Sequence, residues 1–224
     1  ASMSKYLESS GVDIILVGDS LGQVIKGEKT THGVTLDEIE YHTRCVKSGL
    51  KTSVLMVDLP KDSYDTKLKA YKNSYKFIST SLADLIKIEI GTNNFDIAKY
   101  LIEKNIPLCA HIGLLPQTIK SRSGFRKYGK SKNEAKQLYD LAITLDKLGA
   151  KVILIECLEN SLAKKISQNC SAPVIGIGSG RGIDGQVAVI YDLLGISFNK
   201  IDAFFINDKK LLDKQITKFR KKLK

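Results

Sequence analysis

Seven times along the chain a short, unbroken apolar run gives way to a polar or glycine-containing turn and then to an amphipathic stretch. The runs are Asp13 to Val17, Ser53 to Val57, Leu85 to Ile90, Leu108 to Ile112, Val152 to Ile155, Val174 to Ile177 and Ala203 to Ile206. A strand wetted on one face alternates apolar with polar residues, so runs without alternation predict strands covered on both faces, as in a parallel sheet. Strand and helix alternating with short connections predict an α/β fold, a (β/α)8 TIM barrel lacking one unit, rather than an open doubly wound sheet. Residues 1–10 read as helix with no strand ahead of them, so the expected gap is the first β-strand, and the chain reads as starting inside its first strand-helix unit. No linker interrupts the 224 residues, which predicts a single barrel domain over 1–224.

The helices between the runs carry their own signals. Thr35-Leu36-Asp37-Glu38 has the spacing of a capping box. Leu138, Leu141, Ala142, Leu145 and Leu148 fall on one helical face, with Gly149 as the left-handed stop.

Composition excludes some functions. No apolar stretch reaches the roughly 20 residues that cross a bilayer, and no basic-then-apolar leader opens the chain, so no membrane partner and a cytoplasmic location are expected. Cys45, Cys109, Cys157 and Cys170 are far apart and read as small buried hydrophobes. The formal net charge of +11 invites a nucleic-acid reading. The lysines, however, are scattered and dense only in Lys218 to Lys224, which reads as a solvated helix end; no nucleic-acid partner is expected.

Chemistry collects where the runs stop. The first ends in Asp19-Ser20, the second in Asp58-Leu59-Pro60, the third carries Lys87 and Glu89, the fourth His111, the fifth Glu156, and the sixth runs into Gly178-Ser179. In βα folds these ends open into one mouth. A lone carboxylate there is as readily a helix cap or an ion-pair partner. Several carboxylates in one partly desolvated mouth repel one another, and a divalent cation neutralises them; hard oxygen donors without a His or Cys cluster favour Mg²⁺ over Zn²⁺. Lys87 and Glu89 are two apart on a strand and share a face, either as a structural ion pair or as part of the mouth. Glu156 ends an apolar run, where a raised pKa suits a general base. Gly180 to Gly185 matches G-x-G-x-x-G, but so late in the chain it reads as a tight turn or a close backbone approach, not a dinucleotide fingerprint.

Taken together, "GVDIILVGDSLGQVIKGEKTT", "VTLDEIEYHT", "DLPKDSY", "IKIE", "HIGLLPQT", "SGFRKYGK", "ILIEC" and "PVIGIGSGRGIDGQVAVIYDLLG" resemble, in order, the signature segments of the 3-methyl-2-oxobutanoate (ketopantoate) hydroxymethyltransferase family, a (β/α)8 barrel of the phosphoenolpyruvate mutase and isocitrate lyase superfamily. The likeness runs from about Gly11 to Gly195. Lys61 stands where that family carries an aromatic, and Arg181 where it carries a proline.

The resemblance implies transfer of a hydroxymethyl group from 5,10-methylenetetrahydrofolate to 3-methyl-2-oxobutanoate, giving 2-dehydropantoate for pantothenate and coenzyme A synthesis. It implies one Mg²⁺ per subunit on Asp19 and Asp58, with Glu89 reaching it directly or through water. The oxo acid would bind that metal, Asp19, Asp58, Ser20 and Lys87; Glu156 would be the proton acceptor, and His111, Gly178 and Ser179 would line the pocket. It also implies small-molecule substrates, a homo-oligomer, typically a decamer, and an N-terminus shorter than the family's. A superfamily lyase or mutase on another 2-oxo acid, or an inactive truncated homologue, remains open at this point.

Overall fold

The computed structural model describes residues 1–91, 93–119 and 125–197. Helix α1 (Ser2–Ser9) comes first, followed by β1 (Ile14–Val17), α2 (Leu21–Val24), α3 (Leu36–Lys47), β2 (Val54–Asp58), α4 (Lys67–Ser79), β3 (Leu85–Glu89) and α5 (Phe95–Glu103). Then come β4 (Leu108–Gly113), α6 (Lys132–Leu148), β5 (Val152–Glu156), α7 (Asn160–Ser167), β6 (Val174–Ile177), β7 (Gly185–Gln186) and α8 (Ile190–Leu193). The seven strands form one sheet in sequential order, and every pairing is parallel. Six of the expected runs are strands. The seventh, Ala203 to Ile206, and the basic segment Lys218 to Lys224 lie outside the described residues.

Side chains from successive strands separate into two cores, because residues two apart share a face. Ile15, Val17, Leu55, Val57, Ile86, Ile88, Leu108, Ala110, Ile112, Ile153 and Ile155 pack outward, with helix residues such as Ile39, Phe77, Leu101, Leu145 and Ile166 in the same core. Met56, Leu85, Cys109, Val152 and Leu154 form a second cluster, flanked by Ile14, Leu16, Ile175 and Val187. The second cluster is the inner floor of a curled sheet, as in barrel interiors filled by layers from several strands. The curl is that of a TIM barrel that is not closed: among the described residues β1 and β7 do not pair with each other.

The helix signals hold. Thr35 Oγ1 accepts from the Glu38 N–H while the Glu38 carboxylate accepts from the Thr35 N–H, and Gly149 ends α6 with φ of 106°. Helix α1 is anchored differently: the Glu8 carboxylate accepts the N–H groups of Lys51, Thr52 and Ser53. Those backbone donors hold its pKa down at about 2. All four cysteines are free, but only Cys109 is buried; Cys45, Cys157 and Cys170 are half-buried.

The Gly180 to Gly185 segment differs from the strand-then-helix placement its pattern suggests. It leads into β7, a two-residue strand that the sequence reading did not anticipate. Gly180 has φ of 86°, and a Cβ there would meet the Asn160 side chain at the start of α7, so the turn closes against protein.

Gly113 ends β4 with φ of 100°, and a Cβ there would lie 2.3 Å from Leu158 Cδ1 and 2.4 Å from the Glu156 carbonyl oxygen. Gly113→Ala combines a left-handed backbone with overpacking and is expected to cost about 2–5 kcal/mol. Urea unfolding of the two proteins checks this; an unchanged midpoint contradicts it.

Candidate active site

The inner face that forms the apolar floor becomes charged toward the strand ends. Strand β3 carries Leu85, Lys87 and Glu89 on that face, and the register sets Asp58 beside Lys87, Glu89 beside His111, His111 beside Leu154, and Gly113 beside Glu156. Asp19 and Ser20 follow β1. Ser20 begins α2, but its side chain makes no capping hydrogen bond. Leu16, Asp19, Ser20, Asp58, Lys87, His111, Leu154, Glu156, Ile177 and Val187 all line one pocket, so residues from β1 through the segment after β7 meet in a single mouth.

Electrostatics in this mouth follow from burial. Asp58 is 1% exposed and Lys87 5%. The Lys87 Nζ donates to Asp58 Oδ2 at 2.6 Å. Burial alone lowers the lysine's pKa, but Asp58, Asp19 and Glu89 outweigh it and hold the ammonium above its ordinary range. Burial raises Asp58, and the Lys87 ammonium pulls it back. Glu156 is pushed up to about 8 by burial, with Lys87 opposing and Asp19 adding to the rise. Glu89 is pushed up to about 9, again by burial against Lys87. His111 is held well below 6.5 by burial and by Lys87, so its imidazole is neutral. Its Nε2 lies 3.2 Å from Glu156 Oε2 and its Nδ1 4.0 Å from Glu89 Oε1.

Two carboxylate oxygens stand out. Asp19 Oδ2 and Asp58 Oδ1 are buried and have no hydrogen-bond partner. Buried carboxylate oxygens without donors are costly, and a hard divalent cation satisfies them; the residues present fit Mg²⁺ at this pair. Among the described residues no three Asp, Glu, His or Cys side chains converge to hold an ion by themselves.

Glu89 accounts for the difference from the three-carboxylate expectation. It is buried beside the lining residue His111 without itself lining the pocket, and both its oxygens accept the Gln117 backbone N–H at 3.1 Å. Gly178 and Ser179 also depart from expectation, for neither is among the lining residues. Ser179 Oγ accepts the Leu158 N–H and donates to the Ile155 carbonyl, while the Gly178 carbonyl accepts from Lys127 Nζ at 2.5 Å. Both hold the ends of β5 and β6 together.

Sequence reasoning missed several participants. Gln117 also donates through Nε2 to the Leu59 carbonyl and accepts from Tyr64 Oη, which ties the segment after β2 to the one after β4 under Glu89. Its contact with Glu89 is through the backbone, which no residue type announces. Lys127, inside "SGFRKYGK", is visible only as one basic residue among many.

The fold and this mouth define a parallel β/α barrel, open between its first and last described strands, with a buried charged pocket at the C-terminal ends of its strands. Phosphonopyruvate hydrolase, solved with oxalate and Mg²⁺, superposes with a TM-score of 0.60 over 99% of this chain and 89% of that one, at 9% identity. Oxaloacetate acetylhydrolase superposes with a TM-score of 0.56 over 98% and 76%, at 11% identity. Sequence comparison is narrower: the family model for ketopantoate hydroxymethyltransferase matches residues 1–224. The 3-methyl-2-oxobutanoate hydroxymethyltransferase of Aliivibrio fischeri strain MJ11 is 41% identical over 222 residues, 98% of this chain and 84% of the relative. That of Buchnera aphidicola subsp. Schizaphis graminum is 45% identical over 199 residues, 89% and 75%. The chain belongs to the ketopantoate hydroxymethyltransferase family and is a transferase.

Raised carboxyl pKa values have a measurable sign. A group whose folded-state pKa lies above its unfolded value binds more protons in the folded state, so stability falls as pH rises between the two values. For Glu156 that window runs from 4.5 to about 8. In metal-free protein, Glu156→Gln is therefore expected to flatten the decline in urea midpoint across this window and to be more stable than the parent at pH 8. Parallel pH profiles for the two proteins contradict this.

Proposed function

We propose that this transferase moves the one-carbon unit of 5,10-methylenetetrahydrofolate onto 3-methyl-2-oxobutanoate, giving 2-dehydropantoate and tetrahydrofolate with one water consumed. The observation that carries the reading is the grouping of orphaned Asp19 and Asp58 oxygens, the Lys87 ammonium and the raised Glu156 carboxyl in one buried mouth. Family membership supports the same activity.

The reaction needs a proton removed from carbon 3 of a 2-oxo acid while negative charge gathers on the keto oxygen. Asp19 and Asp58 would hold Mg²⁺, with Glu89 two residues beyond Lys87 on the same strand face. When bound, the ion supplies Lewis acidity toward the keto and carboxylate oxygens. Lys87 contributes a fixed positive charge in a site of low polarity, where it needs no reorganisation as charge develops. Ser20 Oγ, not committed to capping α2, serves as a hydroxyl for a substrate oxygen.

Glu156 takes the carbon-bound proton onto its carboxylate. A base suits this task when its pKa is near the operating pH, and burial raises Glu156 to about 8. The neutral His111 imidazole beside it adds no competing charge. Leu16, Leu154, Ile177, Val187 and Val189 give the branched carbon skeleton an apolar wall and limit water at the carbanion. The enolate carbon then forms its bond to the folate's methylene carbon as one carbon–nitrogen bond breaks, water displaces the second nitrogen and leaves its oxygen as the new hydroxyl, and the two freed folate nitrogens end with the proton taken from carbon 3 and one from water.

The purified chain is expected to form 2-dehydropantoate only with both substrates present, to lose activity on chelation and to regain it with added Mg²⁺. Glu156→Gln is expected to lower kcat by about 10²–10⁴ while the oxo acid still binds. The parent's kcat should rise with pH and level off above an apparent pKa no higher than about 8, because bound metal lowers that of Glu156. Full activity in the variant removes Glu156 from its role; a folded, Mg²⁺-binding parent without product removes the substrate assignment.

A further inference from the structure

The segment from Ile25 to Thr35, between α2 and α3, contributes Lys29, Thr30 and Thr31 to the pocket lining. It is held firmly on both sides. Lys26 Nζ donates to the Gly33 carbonyl at 2.8 Å and pairs with Glu28 at 2.9 Å and Glu38 at 3.1 Å. The capping box fixes its exit into α3, and the His32 ring Nε2 lies 3.1 Å from the Pro116 carbonyl, across the mouth after β4. In the middle sits Thr31, 7% exposed. Its Oγ1 is buried and, among the described residues, has no hydrogen-bond partner.

Threonine hydroxyls on helices elsewhere find backbone acceptors. Thr43 Oγ1 donates to the Ile39 carbonyl at 2.6 Å and Thr144 Oγ1 to the Asp140 carbonyl at 2.7 Å. A buried hydroxyl left unpaired is unfavourable, and an isosteric methyl would relieve it. Ser74 Oγ on α4 is unpaired as well, but it is not among the pocket-lining residues, so an orphaned hydroxyl alone does not mark a site. At Thr31 the orphaned atom and the pocket coincide, on a segment tied down on both sides.

We infer that Thr31 is a further substrate-binding residue, whose hydroxyl donates a hydrogen bond to an oxygen of the bound 2-oxo acid. This deepens the functional reading above and rests on it for the identity of the acid. Depth selects the acid over the larger folate. Thr31 is buried with Asp19 and Lys87, whereas a bulky co-substrate meets the open rim first, where Phe125 is 58% exposed. A hydroxyl donor complements this mouth beside that of Ser20, because ionised carboxylates accept only and an anionic substrate brings more acceptors.

The test compares Thr31→Val, which keeps shape and β-branching but deletes the hydroxyl, with Thr31→Ser, which keeps the hydroxyl. Calorimetric titration with 3-methyl-2-oxobutanoate in the presence of Mg²⁺ is expected to show about ten- to hundredfold weaker binding for Thr31→Val and a change within about threefold for Thr31→Ser. Turnover should show the same loss in KM for the oxo acid, with KM for the folate little changed. Melting of the ligand-free proteins separates a binding role from a structural one: Thr31→Val should melt no lower than the parent. Parental affinity in Thr31→Val, or a lower melting temperature in its ligand-free form, overturns the inference. Titration needs no turnover, so a parent that binds the acid without forming 2-dehydropantoate contradicts the functional reading while the two variants still decide Thr31. A parent that does not bind the acid overturns both.

Discussion

Lys87 buries one ammonium against four carboxyl groups, Asp19, Asp58, Glu89 and Glu156, and the rest of the mouth is arranged around that imbalance. A buried charge is tolerated when it is paired, and Lys87 is paired closely with Asp58. One ammonium cannot serve four carboxylates, which is why burial leaves Glu89 and Glu156 with raised pKa values and two aspartate oxygens without donors. A hard divalent cation at the two aspartate oxygens would offset part of that imbalance, because their desolvation cost is already borne. The apolar floor beneath, from Met56, Leu85, Cys109, Val152 and Leu154, keeps the local polarity low enough for these interactions to matter.

How much of this was legible in the sequence depends on whether side chains or backbone did the positioning. The unbroken apolar runs gave six strands with nearly correct bounds, because burial on both faces leaves a compositional mark. Lys87 and Glu89 were placed on one face by strand geometry alone, and the structure puts both inside. Strand β7 was illegible because two residues carry no period, and its glycine-rich approach resembles a loop. The depth of Glu89 was illegible for a different reason: its partner is the Gln117 backbone N–H, a group every residue but proline possesses. Gly178 and Ser179 were expected to line the pocket because they follow a strand end. That expectation concerned their backbone; the Ser179 hydroxyl bonds across β5 and β6, a role a sequence motif does not announce.

Resemblance and bottom-up reading contributed at different levels. Strand-end carboxylates supported a divalent oxygen-ligated cation but no particular acid. The collinear motifs narrowed that to one transferase family, and sequence comparison over the whole chain establishes the membership. Structural neighbours at 9–11% identity carry the fold alone, which is informative in its own way: the curled parallel sheet persists where nearly every side chain has changed.

The distribution of unsatisfied groups ties these levels together. Of the six buried side-chain atoms without hydrogen-bond partners among the described residues, five belong to Asp19, Thr31, Asp58 and His111, all pocket-lining residues, though His111 Nε2 lies 3.2 Å from Glu156; the sixth is Ser74 Oγ. Elsewhere the chain satisfies itself with care: Glu8 takes three backbone donors, Asp146 takes the N–H groups of Ser171 and Ala172, and Asp184 takes that of Val174. A fold that pairs its polar groups so consistently in the scaffold and leaves them unpaired in one mouth concentrates its local instability where a ligand can relieve it. The segments around the mouth are correspondingly braced, by Lys26 and the Thr35–Glu38 box on one side and by Lys127, Ser179 and Gln117 on the other. Without that bracing the unpaired groups would turn toward one another or toward water, and the preorganisation of the mouth would be lost.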